Sequence, residues 1–210
     1  IIDEFNNLNF HKSYNLSKKL DEKQLNEDIL KILTISSFKI QNYQDTIKYG
    51  LKLYESKKLE NDLQLLNILG ISHSINKDYE KGNIFFEKYL LIEKTNISVK
   101  YNLALNYYEQ KKYLNAEKIL SEFISKKIEF KDVNLIYGII HSELKNFDKA
   151  ITIFENLLKK NKNLAEVFFN LGIIYQKINN FDLSIKYFNK AIKEDNTNCF
   201  FFNSLGVSQQ

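Results

Sequence analysis

The sequence predicts an all-α fold, a solenoid in which antiparallel helix-turn-helix repeats follow one another with a 34-residue period and wind into a superhelix. Three observations predict it. Apolar residues recur at helical spacing in paired runs: Phe168, Leu171, Gly172 and Tyr175 precede Asn179-Asn180, and Phe181, Ser184, Phe188 and Ala191 follow it. The same positions recur when the chain is slid back by one, two and three periods, without a break in phase. Small residues also stand at fixed places in both runs, where two helices must approach closely. A compact helical bundle has no need of that phase.

Residues 1–26 read as a partial repeat, in which Ile2 and Phe5 end a first helix and Phe10, Ser13, Ser17 and Leu20 belong to the second helix of an upstream unit. Residues 27–62 are a degenerate repeat carrying Leu33-Thr34, Tyr43, Thr46, Gly50 and Leu53, lengthened by Asn61-Asp62. Four repeats in phase follow, at 63–96, 97–130, 131–164 and 165–198. The first has Leu69-Gly70, His73, Tyr79, Gly82 and Phe86; the second has Leu103-Ala104, Tyr107, Tyr113, Ala116 and Leu120. The third has Tyr137-Gly138, His141, Phe147, Ala150 and Phe154. Residues 199–210 are the truncated start of a further repeat, with Phe202 and Leu205-Gly206. Both ends cut through a repeat, so the chain reads as a fragment of a longer protein, and end-to-end self-association through unpaired helix faces is expected of it. One hairpin cannot offset its own chain entropy; stacking on neighbours must supply the rest.

The period, the Leu-Gly pair of the first helix, the aromatic three residues later, the aromatic after the turn and the small residue beyond it resemble the tetratricopeptide repeat (TPR) family. The resemblance covers residues 27–210 and is fullest over 165–198. Departures are visible. Proline is absent, and Lys77, Lys111, Lys145 and Asn179 stand where the family's turn has glycine, which predicts looser turns. Lys100 and Asn134 take a slot that is normally large and apolar. The resemblance implies a right-handed superhelix whose first helices line a concave groove. The residues it places there are Asn67 and Ile71, then Tyr101, Asn102 and Leu105, then Leu135 and Ile139, then Phe169, Asn170 and Ile173. Amides such as Asn102 and Asn170 can both donate to and accept from an extended peptide backbone. Tyr101 and Phe169 are read as aromatics beyond what tight packing requires. The family's carboxylate clamp is not expected, because Lys31 is followed by Ile35 where the clamp has asparagine.

Composition bounds the rest. The 210 residues are 44% hydrophobic and 27% charged, which fits an ordered chain. Net charge is +4, and every basic residue is lysine. Without arginine there is no bidentate reading of phosphate or guanine, so nucleic acid is an unlikely partner. Lysines concentrate on second helices, including Lys118, Lys159, Lys160, Lys186 and Lys190, and are read as a solvated outer face paired with glutamates rather than an anion site. Cys199 is the single cysteine, so no intrachain disulfide forms. No apolar run approaches the ~20 residues that span a bilayer. The chain starts at Ile1 and contains no Met, so the natural N-terminus is placed upstream; the compartment stays open, with the cytoplasm as default. No phosphate loop, cysteine pair or nucleophile-base set occurs. His73 and His141 occupy the slot of Tyr107 and Tyr175 and are expected in the core. No cofactor or metal is expected. The expected function is a non-catalytic protein-protein interaction scaffold holding a peptide or protein segment in its groove. The alternative is the substrate-presenting arm of a larger enzyme of glycosyl- or sulfotransferase type, with its catalytic domain beyond residue 210; nothing in these residues favours it.

Overall fold

In the computed structural model, residues 1–56, 59–162 and 164–209 are described, and among them the chain is helical throughout, with no strand. The helices are α1 (Ile2–Asn6), α2 (Phe10–Ser17), α3 (Glu27–Lys39), α4 (Tyr43–Glu55), α5 (Leu63–Ile75), α6 (Tyr79–Ile92) and α7 (Ile97–Glu109). They continue with α8 (Tyr113–Ser125), α9 (Val133–Glu143), α10 (Phe147–Lys159), α11 (Leu164–Lys177), α12 (Phe181–Glu194) and α13 (Cys199–Ser208). A single 3₁₀ turn, Glu22–Gln24, lies before α3. Gln210, the last residue of the truncated final repeat, lies outside the described residues.

The helix starts follow from asparagine and aspartate. Asn26, Asn42, Asp62, Asp78, Asn96 and Asn180 each accept, through the side chain, the backbone N–H three residues on. That satisfies one of the orphan donors of a first turn. The hairpin turns share one geometry. Gln41, Lys77, Lys111, Lys145 and Asn179 all take left-handed backbone, with φ between 58° and 63°. The next residue donates its N–H back across the turn: Asn42 to Ser37, Asp78 to His73, Lys112 to Tyr107, Asn146 to His141 and Asn180 to Tyr175, at 2.8–2.9 Å. The expectation of looser turns is therefore corrected. Lysine holds the same closed turn as glycine would, at a cost of roughly 1 kcal/mol per turn in backbone strain.

The chain forms two compact units, residues 1–112 and 113–210. In the first, α2 packs on α3, α3 pairs with α4, α4 packs on α5, α5 pairs with α6 and α6 packs on α7. Leu33, Leu53, Leu66, Leu69 and Phe86 fill its core. In the second, α8 packs on α9, α9 pairs with α10, α10 packs on α11, α11 pairs with α12 and α12 packs on α13. Here Leu135, Ala150, Phe154, Val167, Leu171 and Ile174 form one contiguous cluster.

The glycines serve close approach, not turn geometry, for no glycine has positive φ. A Cβ on Gly70 would stand 2.5 Å from the Phe86 ring, one on Gly138 2.5 Å from Phe154, and one on Gly172 2.6 Å from Phe188. Each glycine is thus a socket for the phenylalanine sixteen residues on. The second helices' small residues open space differently: Gly82 faces the Gly70 carbonyl and makes room for the Asn106 amide.

Candidate functional site

The ten positions implied for the groove fall on three residue slots along the first helices. The slot of Ile71, Leu105, Ile139 and Ile173 is half-buried in all four copies, and Val207 in the same slot of α13 is exposed. The slot of Asn67, Tyr101, Leu135 and Phe169 is used for packing. Tyr101 is 5% and Leu135 8% exposed. Phe169 sits between two rings of its own unit, with centroids 5.6 Å from Phe188 and 4.8 Å from Phe201. The reading of Tyr101 as a spare aromatic is corrected, for its ring is buried, whereas Phe169 is half-buried with one side of its ring packed in its own unit. For Phe169 the reason is that α13 packs on α11, a neighbour that one hairpin's own periodicity does not reveal.

The amides also differ from one another. Asn102 is half-buried. Asn170 Nδ2 donates to the Glu166 carbonyl of its own helix at 2.7 Å, so its donor is engaged. Asn67 Oδ1 is enclosed with no hydrogen-bond partner among the described residues. Sequence reasoning passed over Asn106, whose buried Nδ2 likewise has no partner there. The signal existed, since the same slot holds Ile140 and Ile174 in later repeats.

The two core histidines lie where expected, each 3% exposed. His73 stacks on Phe85 at 5.6 Å, and its Nδ1 stands 3.4 Å from an Asp78 oxygen without hydrogen-bond alignment. His141 meets Tyr137 edge-on at 4.5 Å, its Nδ1 lies 3.3 Å from the Asn146 amide and its Nε2 3.8 Å from Glu117. Burial holds both imidazoles below the usual histidine value, against the pull of Asp78 and Glu117 and with the help of Lys81 and Lys149. Both rings are therefore neutral in the folded protein at neutral pH. As pH falls below about 6.5, the unfolded chain takes up protons before the folded one does. Stability that is fully present above that value should be lost with a slope of up to about 1.4 kcal/mol per pH unit for each ring. Urea midpoints measured between pH 7.5 and 5 check this, and the double variant His73→Tyr, His141→Tyr should flatten the slope over that range.

Among the described residues no cluster of His, Cys, Asp or Glu has the arrangement to hold a metal ion. No helix among them is long and apolar enough to cross a membrane. The sequence matches tetratricopeptide repeat models over residues 165–198, and over 98–126 and 132–163. These stretches of the chain are tetratricopeptide repeats. Solved TPR-like folds are similar to it. MamA MSR-1 has a TM-score of 0.68 at 22% identity, covering 81% of this chain and 97% of that one. MamA AMB-1 has 0.67 at 22%, covering 84% and 96%. A tetratricopeptide repeat protein from Parabacteroides merdae ATCC 43184 has 0.61 at 12%, covering 99% and 80%. At these identities the likeness establishes the fold, an all-α TPR-like solenoid. No curated protein matched in the corresponding comparison.

Proposed function

We propose that the chain is a non-catalytic interaction scaffold and that, in each unit, the first-helix slot of Ile71 and Leu105 or of Ile139 and Ile173 contacts a bound peptide or protein segment. The observation that carries the reading is the constancy of that slot. It is aliphatic in five successive first helices, counting Val207, and fully buried in none. A slot that only filled the core would be sealed, as Leu69, Leu103 and Leu171 are. Asn102, one turn from Leu105, adds a half-buried amide suited to a peptide main chain. The tetratricopeptide repeats support a scaffold over an enzyme, as does the lack of any nucleophile-base set in the sequence.

Panning the chain against a random twelve-residue peptide library tests this. Peptides recovered should bind in fluorescence anisotropy, and the pairs Ile71→Ser with Leu105→Ser, or Ile139→Ser with Ile173→Ser, should weaken a given peptide at least tenfold while helical circular dichroism is kept. If every recovered peptide binds both double variants as tightly as the parent, the aliphatic slot is not a contact surface.

A further inference from the structure

One first helix starts late. Val133 opens α9, which has 11 residues, whereas α7 has 13 and α11 has 14. The cause is local. Lys127 and Lys131 take left-handed backbone, with φ of 52° and 41°, and neither can extend a right-handed helix. The first turn is replaced by a connector over residues 126–132, where those at 93–96 and 195–198 are four residues long. The match to the TPR family is interrupted at the same place, between residues 126 and 132.

Loss of that turn leaves a cleft of about 700 Å³ within the second unit, between the end of α8, the connector and the end of α10. This is the size range of sites that hold small molecules or a few peptide residues. Its floor includes the half-buried Ile124 and Ile128, its sides carry the amides of Asn134 and Asn156, and Lys127, Lys159 and Lys160 line its rim. One carboxylate, Glu129, lies among them, and it is already shared by Lys160 at 3.7 Å and Lys162 at 3.5 Å. Lys127 and Lys159 make no ion pair among the described residues. The reading of the second-helix lysines as glutamate-paired thus holds for Lys160 but not for Lys159.

We propose that this cleft is a second binding site, for an acidic peptide segment that seats an aliphatic side chain on Ile124 and Ile128 and sets carboxylates against Lys127 and Lys159. The apolar floor provides burial, the amides meet the main chain, and the ammonium groups select the sign of the partner and speed its capture. A nucleic acid is a poorer fit: the only aromatic in the lining, Phe123, is 1% exposed and offers no face for a base. The site shares no residue with the aliphatic slot of the first helices, so the two readings stand or fall separately.

The same peptide library, panned against the full 1–210 chain, supplies the probe. A class of peptides rich in Asp and Glu around one aliphatic residue should emerge. Their affinity should fall at least tenfold in Lys127→Glu with Lys159→Glu, fall again in Ile128→Ser, and drop as salt is raised from 50 to 300 mM. It should not change in Ile139→Ser with Ile173→Ser. Recovered peptides with no acidic bias, or acidic peptides indifferent to the cleft variants, would overturn the proposal. So would a polydeoxythymidine oligonucleotide that binds as tightly as the peptides and depends on the same lysines, since a bare polyanion site would then suffice.

Discussion

Gly172→Leu should lower stability by about 1–3 kcal/mol or more, read as a shifted urea midpoint with unchanged slope. Leucine is the better helix former by about 0.8 kcal/mol, so the sign depends on space. The Cβ alone would lie 2.6 Å from two atoms of the Phe188 ring, and Phe188 is completely buried, so the ring has nowhere inexpensive to go. Gly206 is an internal control. It holds the same repeat position on α13, yet nothing lies within 4 Å of its added Cβ. Gly206→Ala should therefore be neutral or stabilising by up to about 1 kcal/mol, while Gly172→Ala destabilises. One substitution at equivalent positions would thus carry opposite signs. The repeat at 97–130 points to the remedy, since it has Ala104 with Leu120 where its neighbours pair glycine with phenylalanine. Adding Phe188→Leu to Gly172→Ala should recover part of the loss. If Gly172→Ala proves as benign as Gly206→Ala, the ring has slack and the socket is not tight.

Much of this was legible beforehand, because period and helical face are local properties. Gly172, Phe188 and Ala191 announce a hairpin through spacing alone, and Asn and Asp announce the helix starts through their capping chemistry. What failed to show was set by tertiary context. Lys77 or Lys145 carries no preference for left-handed backbone; the hairpin imposes it, and the same sequence-level silence hid the late start of α9 at Lys131. The candidate site was half legible for a related reason. Phe169 and Ile173 are four residues apart on one face, and periodicity cannot rank them. Both are half-buried; what distinguishes them is that the Phe169 ring meets Phe201 of the following first helix. Lys159 and Lys160 looked alike as surface charge, and only the connector's Glu129 distinguishes them.

Phe169→Ala is expected to cost about 3 kcal/mol, the low end for truncating a buried phenylalanine, since the residue is half-buried. The loss should concentrate at α13. That helix has ten residues and packs on α12 and α11, and a helix of that length does not persist alone in water. Phe201, 3% exposed, is its anchor, and the ring it rests on is Phe169 at 4.8 Å. Hydrogen exchange should show the amides of α13 losing protection in Phe169→Ala while those of α9 and α10 keep theirs. Phe201→Ala should reproduce that pattern at about 3–5 kcal/mol. The double variant should cost less than the sum of the two, by the roughly 0.5–1.5 kcal/mol that an aromatic pair contributes beyond its buried area. The contrast with Ile173 makes the test decisive. If Phe169→Ala left α13 protected and instead abolished peptide binding, Phe169 would face a ligand, as the family resemblance alone implies, and the packing role would be wrong. If it unzips α13, residues for functional mutation are to be drawn from the slot of Ile139 and Ile173.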